Sequence, residues 1–302
     1  MRPTGIFFGY MLGCLLLAAL LSIPLLDSDL LADEDPQRVL GRLAQVLMLL
    51  GLWPFLRALG LARRAALGYN SLPFQDFRRD AFRGWLFGSL MMAAIVILLV
   101  VSGARALEVW SFGWLLELLK TALRALIVGL LIAVLEETFF RGALFTAIRR
   151  RDGLVQAAGW SAALYAVVHF MKPHGLPADM APDALGIAWM VASVFAGLLE
   201  WRNLDSLVAL WLAGVLLALL RERTGSIAFG IGVHAAWVFV IQTSRRLTDG
   251  VDQAGWAWLA GDYDGIIGWL AVAVLAMTIT AERLSVRMHR GSARNEQSSI
   301  GP

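Results

Sequence analysis

Long apolar segments separated by short polar loops run through nearly the whole of this 302-residue chain. An α-helix needs about 20 predominantly apolar residues to cross the hydrocarbon core of a bilayer. Segments of suitable length lie at about residues 5–26, 39–61, 84–102, 121–148, 154–170, 226–242 and 265–281. A further crossing is expected within 185–220, which reads either as one span preceded by an interfacial helix or as two short helices. The pattern predicts an all-α fold, a multi-pass transmembrane helical bundle of about eight spans.

The composition agrees with a membrane protein, because 59% of the residues are hydrophobic and only 16% are charged. Soluble domains carry about 25% charged residues. Basic loops of membrane proteins stay in the cytoplasm, so the loops 57–83, 149–151 and 221–223 and the basic C-terminal tail place both termini there. Arg245 and Arg246 then fall outside, against this rule. We expect an integral membrane protein whose positive charge contacts lipid, with no nucleic-acid partner.

No soluble domain and no internal repeat is evident in the sequence. We therefore divide the chain into regions by the position of the polar residues within its apolar segments. Residues 1–120 contain the first three spans and their loops, and residues 246–302 contain the last span and a cytoplasmic tail. Residues 121–245 between them hold the ionisable residues of greatest interest, and we expect them to form the functional core.

Three ionisable residues, Glu136, Glu137 and Arg141, interrupt the apolar run 125–148 of the fourth predicted span. Each charge at the centre of a membrane helix costs about 2.5–3.5 kcal/mol, so the group is either a salt-bridged helix end near the headgroups or a buried site. Glu137 and Arg141 are four residues apart, which favours an ion pair on one helix face. Glu136 is rotated by about 100° from that face. We therefore interpret Glu137–Arg141 as mainly a structural clamp and Glu136 as the chemically active carboxylate.

Two histidines also lie within apolar spans. Glu136 lies 16 residues before Asp152, in the turn between two spans, and His169 lies 17 residues after it. At about 1.5 Å per residue, the two side chains have nearly the same depth. His234 reaches this layer if its helix starts deeper or tilts. A single buried histidine is more often a packing residue, but two of them with a carboxylate at matching depth indicate an active site inside the bundle.

These residues form three ordered motifs: Glu136-Glu137-x-x-x-Arg141, Tyr165-x-x-x-His169, and Thr224-Gly225-Ser226 leading to His234. Over roughly residues 126–240, the set resembles the CPBP intramembrane proteases, which include the type II CAAX prenyl endopeptidases and Abi-like bacterial relatives, some linked to bacteriocin immunity and protein sorting. Two positions depart from the family pattern. Tyr165 stands where phenylalanine is usual, and Val238 stands where asparagine is usual.

The resemblance implies an intramembrane endopeptidase that cuts a membrane-anchored protein or peptide, prenylated or carrying a sorting signal. Glu136, assisted by His169, would activate a water molecule, and His234 would stabilise the oxyanion, with Glu137 and Arg141 in the same site. The alternative chemistry is a zinc site formed by His169, His234 and Glu136, with the other glutamate as base. We favour the glutamate mechanism without a cofactor, since the His-Glu-x-x-His spacing of soluble zinc proteases is absent.

Two other functions remain open at this point. The first is a non-catalytic membrane scaffold or bacteriocin-immunity-type protein of the same fold, and Val238 is its main support. The second is an ion-coupled transporter, which would also place acids and histidines within the membrane. Many transporters have two repeated halves and paired helices that are interrupted by glycine. The sequence shows neither feature, which is evidence against a transporter.

Overall fold

The computed structural model describes residues 2–28, 34–69, 72–108, 112–251 and 253–299, with backbone only for residue 112 and for residues 285–299. The elements in chain order are α1 (Arg2–Leu26), α2 (Pro36–Ala58), α3 (Arg64–Leu67), α4 (Phe74–Val101), β1 (Arg105–Leu107), α5 (Phe112–Glu136), a π-helix (Glu137–Leu144), α6 (Phe145–Asp152), α7 (Leu154–Phe170), α8 (Ala184–Ser193), 3-10 turns at Ala196–Leu198 and Trp201–Asn203, α9 (Leu204–Thr224), α10 (Ala228–Leu247), β2 (Thr248–Gly250), a 3-10 turn at Ala257–Leu259, and α11 (Trp269–Ser299). The predicted all-α helical bundle is confirmed.

Five helices in the described part of the chain are long and apolar enough to cross a membrane: Arg2–Leu26, Pro36–Ala58, Phe74–Val101, Gly113–Asp152 and Trp201–Thr224. Leu154–Phe170 is apolar but shorter. The total of eight crossings therefore stays a prediction. The outer faces of the long helices expose many large apolar side chains, Leu20, Leu50, Leu90 and Leu131 among them. Surfaces this apolar suit contact with lipid.

The ambiguous segment 185–220 contains a single long helix, α9, preceded by the short helix α8 and two 3-10 turns. One long helix preceded by a short one matches the helix pattern of the expected arrangement with a single span. The last span was expected to end near residue 281, but α11 continues as a helix to Ser299. The final residues of the predicted tail, 300–302, lie outside the described residues.

Helix α10 lies at the centre of the bundle and packs closely against α4 and α5. Small residues make this approach feasible, as they do in many membrane helix pairs. A side-chain carbon at Gly232 would lie 1.9 Å from the carbonyl oxygen of Ala81, and one at Gly84 would lie 2.1 Å from that of Phe229. Glycine at these two positions therefore allows a close approach of α10 and α4 that any larger residue would prevent.

The start of α10 is set deep in the bundle by the loop that contains α3. The backbone N–H of Ile227 and the Ser226 hydroxyl donate to the carbonyl oxygen of Gly68, while the Thr146 hydroxyl donates to that of Ala66. Helix α10 therefore begins near the level of Thr146, six residues before the end of α6. This corresponds to about 9 Å along the helix axis. A deeper start is the condition under which His234 was expected to join the layer of Glu136.

At the opposite end of the bundle, the buried Arg105 joins three loops. Its guanidinium donates to the hydroxyl of Thr248 at 2.7 Å, to the backbone carbonyl of Thr248, and to the carbonyl of Gly265 at 2.8 Å. Strands β1 and β2 pair antiparallel beside it, with Arg105 opposite Gly250. These contacts hold the chain after α4, after α10 and before α11 together.

We expect Arg105→Ala to lower the free energy of unfolding by about 2–3 kcal/mol, because buried carbonyl groups lose a charged donor. Thermal unfolding of the detergent-purified protein, followed by tryptophan fluorescence, measures this change. Arg246→Ala is the matched control, since Arg246 makes only a half-exposed 3.7 Å pair with Glu108. That pair is worth about 1 kcal/mol or less. Equal shifts for both variants would contradict the role of Arg105.

Candidate active site

The three charged residues of the fourth span lie where the helix changes its hydrogen-bonding pattern. Helix α5 ends at Glu136, and Glu137–Leu144 form a π-helix. In a π-helix each N–H bonds to the fifth residue before it, and such turns are frequent at functional sites. The expected 100° rotation between the two glutamates assumed an uninterrupted α-helix, so it does not describe this segment. The wide turn packs against α3, where a side-chain carbon at Gly142 would lie 3.0 Å from the carbonyl oxygen of Leu67.

Glu137 lies at the centre of a buried charge cluster. Arg141 donates from Nη1 to Oε1 of Glu137 at 3.0 Å, and both side chains are 1% exposed. Nδ1 of His234 lies 3.0 Å from the same carboxylate oxygen. The expected ion pair is therefore present, and it includes a contact to His234 that the sequence did not indicate. Glycine at position 230 lets α10 approach, because a side-chain carbon there would lie 3.1 Å from Oε2 of Glu137.

Tyr165 joins this cluster to the second histidine. The Arg141 guanidinium lies 4.2 Å above the centre of the Tyr165 ring, a cation–π contact. The same ring makes edge contacts with His169 at 4.6 Å and with His234 at 6.0 Å between ring centres. The tyrosine therefore packs between the arginine and both histidines.

Glu136 differs from Glu137 in its surroundings. Its side chain is 30% exposed, and its Oε2 makes no hydrogen bond among the described residues. That oxygen lies 3.7 Å from Nε2 of His234. Among the described residues, Glu136 is thus the glutamate of the pair without a hydrogen-bond partner, as the inferred separation of roles requires.

Glu136, His169 and His234 line one cavity of about 350 Å³ inside the bundle. Apolar side chains of α4, α9, α10 and α11 form most of its wall, among them Met92, Leu210, Val238 and Leu275. The cavity extends along α10 from His234 past Gln242 to Arg245. Lys172, Tyr263 and Asp264 border it at that end. The structure brings all five predicted site residues to the inner end of this cavity or directly behind its wall.

The hydrogen-bond partners of the histidines define which nitrogen carries the proton. Nδ1 of His169 lies 2.7 Å from the carbonyl oxygen of Tyr165, and a carbonyl oxygen only accepts. Nδ1 of His234 faces the carboxylate that Arg141 holds, which also accepts. Both neutral rings therefore carry hydrogen on Nδ1 and present an unprotonated Nε2. Each Nε2 can accept a proton, and neither can donate one while its ring is neutral.

A family model described as type II CAAX prenyl endopeptidase Rce1-like matches residues 116–240. This segment, 125 of the 302 residues, is similar to the Rce1-like family. No curated protein and no solved structure matches the chain. The Rce1-like segment contains the charge cluster and both histidines, and together with the apolar helices it establishes an integral membrane protein with an intramembrane CAAX-type protease fold.

A zinc site formed by His169, His234 and Glu136 is the alternative arrangement within the Rce1-like segment. Two unprotonated imidazole nitrogens and a carboxylate are suitable zinc ligands in chemical type. Among the described residues, however, no three His, Cys, Asp or Glu side chains are grouped closely enough to hold a metal ion. His169, His234 and Glu136 would have to move together to bind one.

Residues outside the family segment complete the cavity, and sequence reasoning missed them. Tyr263 donates its hydroxyl to the carbonyl oxygen of His169 at 3.2 Å, and Lys172 donates to the Tyr263 hydroxyl at 3.0 Å. Asp264 accepts from the N–H groups of Ile266 and Ile267, and burial raises the pKa of its carboxyl group. No pattern connects this loop to His169, which lies 94 residues earlier.

We expect Arg141→Met to lower the free energy of unfolding by about 3–5 kcal/mol, because Glu137 would become an uncompensated buried charge. Glu136→Gln should change it by about 1 kcal/mol or less, because its carboxylate has no bound partner to lose. Thermal unfolding in detergent measures both. The matched control is Arg124→Met, which makes the same substitution at an exposed position of α5. Unfolding of Arg141→Met at the wild-type temperature would show that the ion pair does not stabilise the fold.

Proposed function

We propose that the chain is an endopeptidase that hydrolyses a peptide bond of a membrane-anchored protein, with Glu136 as general base. The observation that carries the proposal is the carboxylate of Glu136, on a side chain that lines the cavity, with an Oε2 that lies 3.7 Å from Nε2 of His234 and makes no hydrogen bond among the described residues. A water molecule on the cavity side can donate hydrogen bonds to the carboxylate and to an unprotonated Nε2. The protease core would comprise residues 121–245, between the N-terminal spans (1–120) and the last span (246–302).

The proposed reaction uses one proton-transfer group twice. Glu136 takes a proton from water as the water oxygen attacks the carbonyl carbon, and the carbonyl electron pair moves to its oxygen. When the tetrahedral intermediate collapses, the carbon–nitrogen bond breaks and the leaving nitrogen takes the proton from Glu136. The products are a carboxylic acid and an amine, which become a carboxylate and an ammonium group when the acid proton passes to the amine. His169 orients the water through Nε2, and His234 stabilises the oxyanion when it is protonated.

The surroundings of Glu136 support the assignment of roles. Glu137 is already bonded to Arg141 and His234, so proton uptake by this carboxylate would disrupt two buried contacts. Glu136 can gain and lose a proton without breaking any hydrogen bond of the described residues. The charge cluster behind it would keep His234 in one orientation during the reaction.

Replacement of Glu136 by glutamine tests the function. Some new termini of membrane proteins should appear in cells that carry the wild-type chain. We expect these termini to be at least about 100-fold less abundant in cells that carry the Glu136→Gln variant at the same level. The reason is that general-base catalysis contributes about 10²–10⁴-fold to the rate. Quantification of new protein termini in cells measures this and names the substrate, whether prenylated or carrying a sorting signal.

Glu117→Gln provides the matched control on the same helix, because Glu117 is exposed and pairs only with Lys120 at 2.8 Å. It should give the wild-type termini. Identical termini for all three chains would instead favour the scaffold or immunity function, for which Val238 is the supporting observation. Cleavage that a chelator abolishes and zinc restores would establish the metal mechanism.

The orientation of the cavity is a second part of the proposal. The basic loops that contain Arg150 and Arg221–Arg223 lie at the end of the bundle opposite to Arg105 and Tyr263. With the basic loops in the cytoplasm, the outer end of the cavity would face away from it.

Single cysteines test this orientation. The native Cys14 is buried, so it gives little background. We expect Gly255→Cys to react with a membrane-impermeant maleimide in intact cells whose inner membrane is accessible, and Arg150→Cys to react only after the membrane is opened. The reverse pattern would place the outer end of the cavity in the cytoplasm.

A further inference from the structure

The proposed reaction needs a hydrogen-bond donor for the oxyanion, and the positions of the histidine protons restrict the choice. His169 donates from Nδ1 to its own helix, and His234 donates from Nδ1 to Glu137. Neither neutral ring has a second hydrogen to offer. If His234 is protonated, its Nε2–H faces Oε2 of Glu136 at 3.7 Å, so the carboxylate competes with the oxyanion for it.

The other polar groups of the cavity are distant, exposed, already bonded or enclosed by protein atoms. Gln242 and Arg245 follow His234 by 8 and 11 residues on α10, which is about 12 and 17 Å along the axis. Lys172 is exposed and donates to Tyr263, whose hydroxyl donates to the carbonyl of His169. Nε1 of Trp237 is enclosed by protein atoms, where it makes no hydrogen bond among the described residues. Val238, one turn after His234, contributes only apolar surface.

Tyr165 is the group that remains. Its side chain lines the cavity with Glu136, and its hydroxyl makes no hydrogen bond to any described residue. The ring cannot easily turn away, because Arg141 lies on its face and His169 and His234 lie at its edges. A phenol held in this way has its hydroxyl directed by the packing of the ring, before any substrate binds.

We propose that Tyr165 is a catalytic residue whose hydroxyl donates the hydrogen bond that stabilises the oxyanion of the tetrahedral intermediate. The inference rests on the proposed endopeptidase function. The hydroxyl keeps its proton throughout, so the atom balance of the reaction is unchanged. The Arg141 cation lies on the face of the ring and holds the ring in place while negative charge develops on the oxyanion. Donors fixed in advance in a water-poor site are the most effective stabilisers of such charge.

Tyr165→Phe removes the hydroxyl and retains the ring. We expect the rate at which the Glu136-dependent termini appear after induction to fall about 100- to 1,000-fold, the usual loss for one oxyanion donor. With the purified chain and the cleaved protein in liposomes, kcat should fall while KM stays within about threefold. The temperature of unfolding should stay close to that of the wild type, since the contacts of the ring are preserved.

Tyr69→Phe is the matched control, because its hydroxyl bonds to Thr138 at 2.6 Å and does not line this cavity. It should retain the wild-type rate within about threefold. A Tyr165→Phe rate in the same range, in a chain that Glu136→Gln inactivates, would overturn the role of Tyr165 alone. Absence of any Glu136-dependent termini would overturn the endopeptidase function, and the role of Tyr165 with it.

Discussion

The buried ion pair between Glu137 and Arg141 is the constraint on which the site depends. A charge that is buried inside an apolar bundle is strongly destabilising unless a partner of opposite charge compensates it. Here one carboxylate oxygen contacts both the guanidinium and the imidazole of His234, so the pair connects the π-helix to α10. The guanidinium in turn covers Tyr165 on α7. Three separate helices are thereby fixed around one charge cluster.

Close backbone packing makes this cluster geometrically achievable. Helix α10 has glycines where it meets Ala81 and Glu137, and the π-helix has Gly142 where it meets α3. The bonds from Ser226 and Ile227 to Gly68 then set the depth of α10. Helix α10 is thus rich in small residues and is held by polar contacts at both of its ends. Together these features place His234 opposite the two glutamates, and hydropathy alone does not specify this position.

The cavity combines two kinds of surface that suit a membrane-embedded hydrolase. Its inner end has a carboxylate and two imidazole nitrogens able to accept protons, while its walls are mostly apolar and give water little else to bind. Low polarity strengthens each electrostatic contact at the inner end. The loop with Tyr263 and Asp264, held by Arg105, borders the outer end, so residues outside the Rce1-like segment contribute to the shape of the site.

The sequence by itself determined the helical class, the long apolar helices, and the identity of Glu136, Glu137, Arg141, His169 and His234 as one group. These features follow from local rules, because hydropathy and helical spacing are properties of a few neighbouring residues. A charge within an apolar run is also unfavourable whatever the tertiary structure, so it marks a candidate site from the sequence alone. Only the tertiary structure decided that Glu137 binds His234, that the segment after Glu136 is a π-helix, and that Tyr263 and Tyr165 border the same cavity. Those features depend on how deeply α10 starts and how loops far apart in the chain meet. Contacts between distant segments are set by packing, which no local pattern encodes.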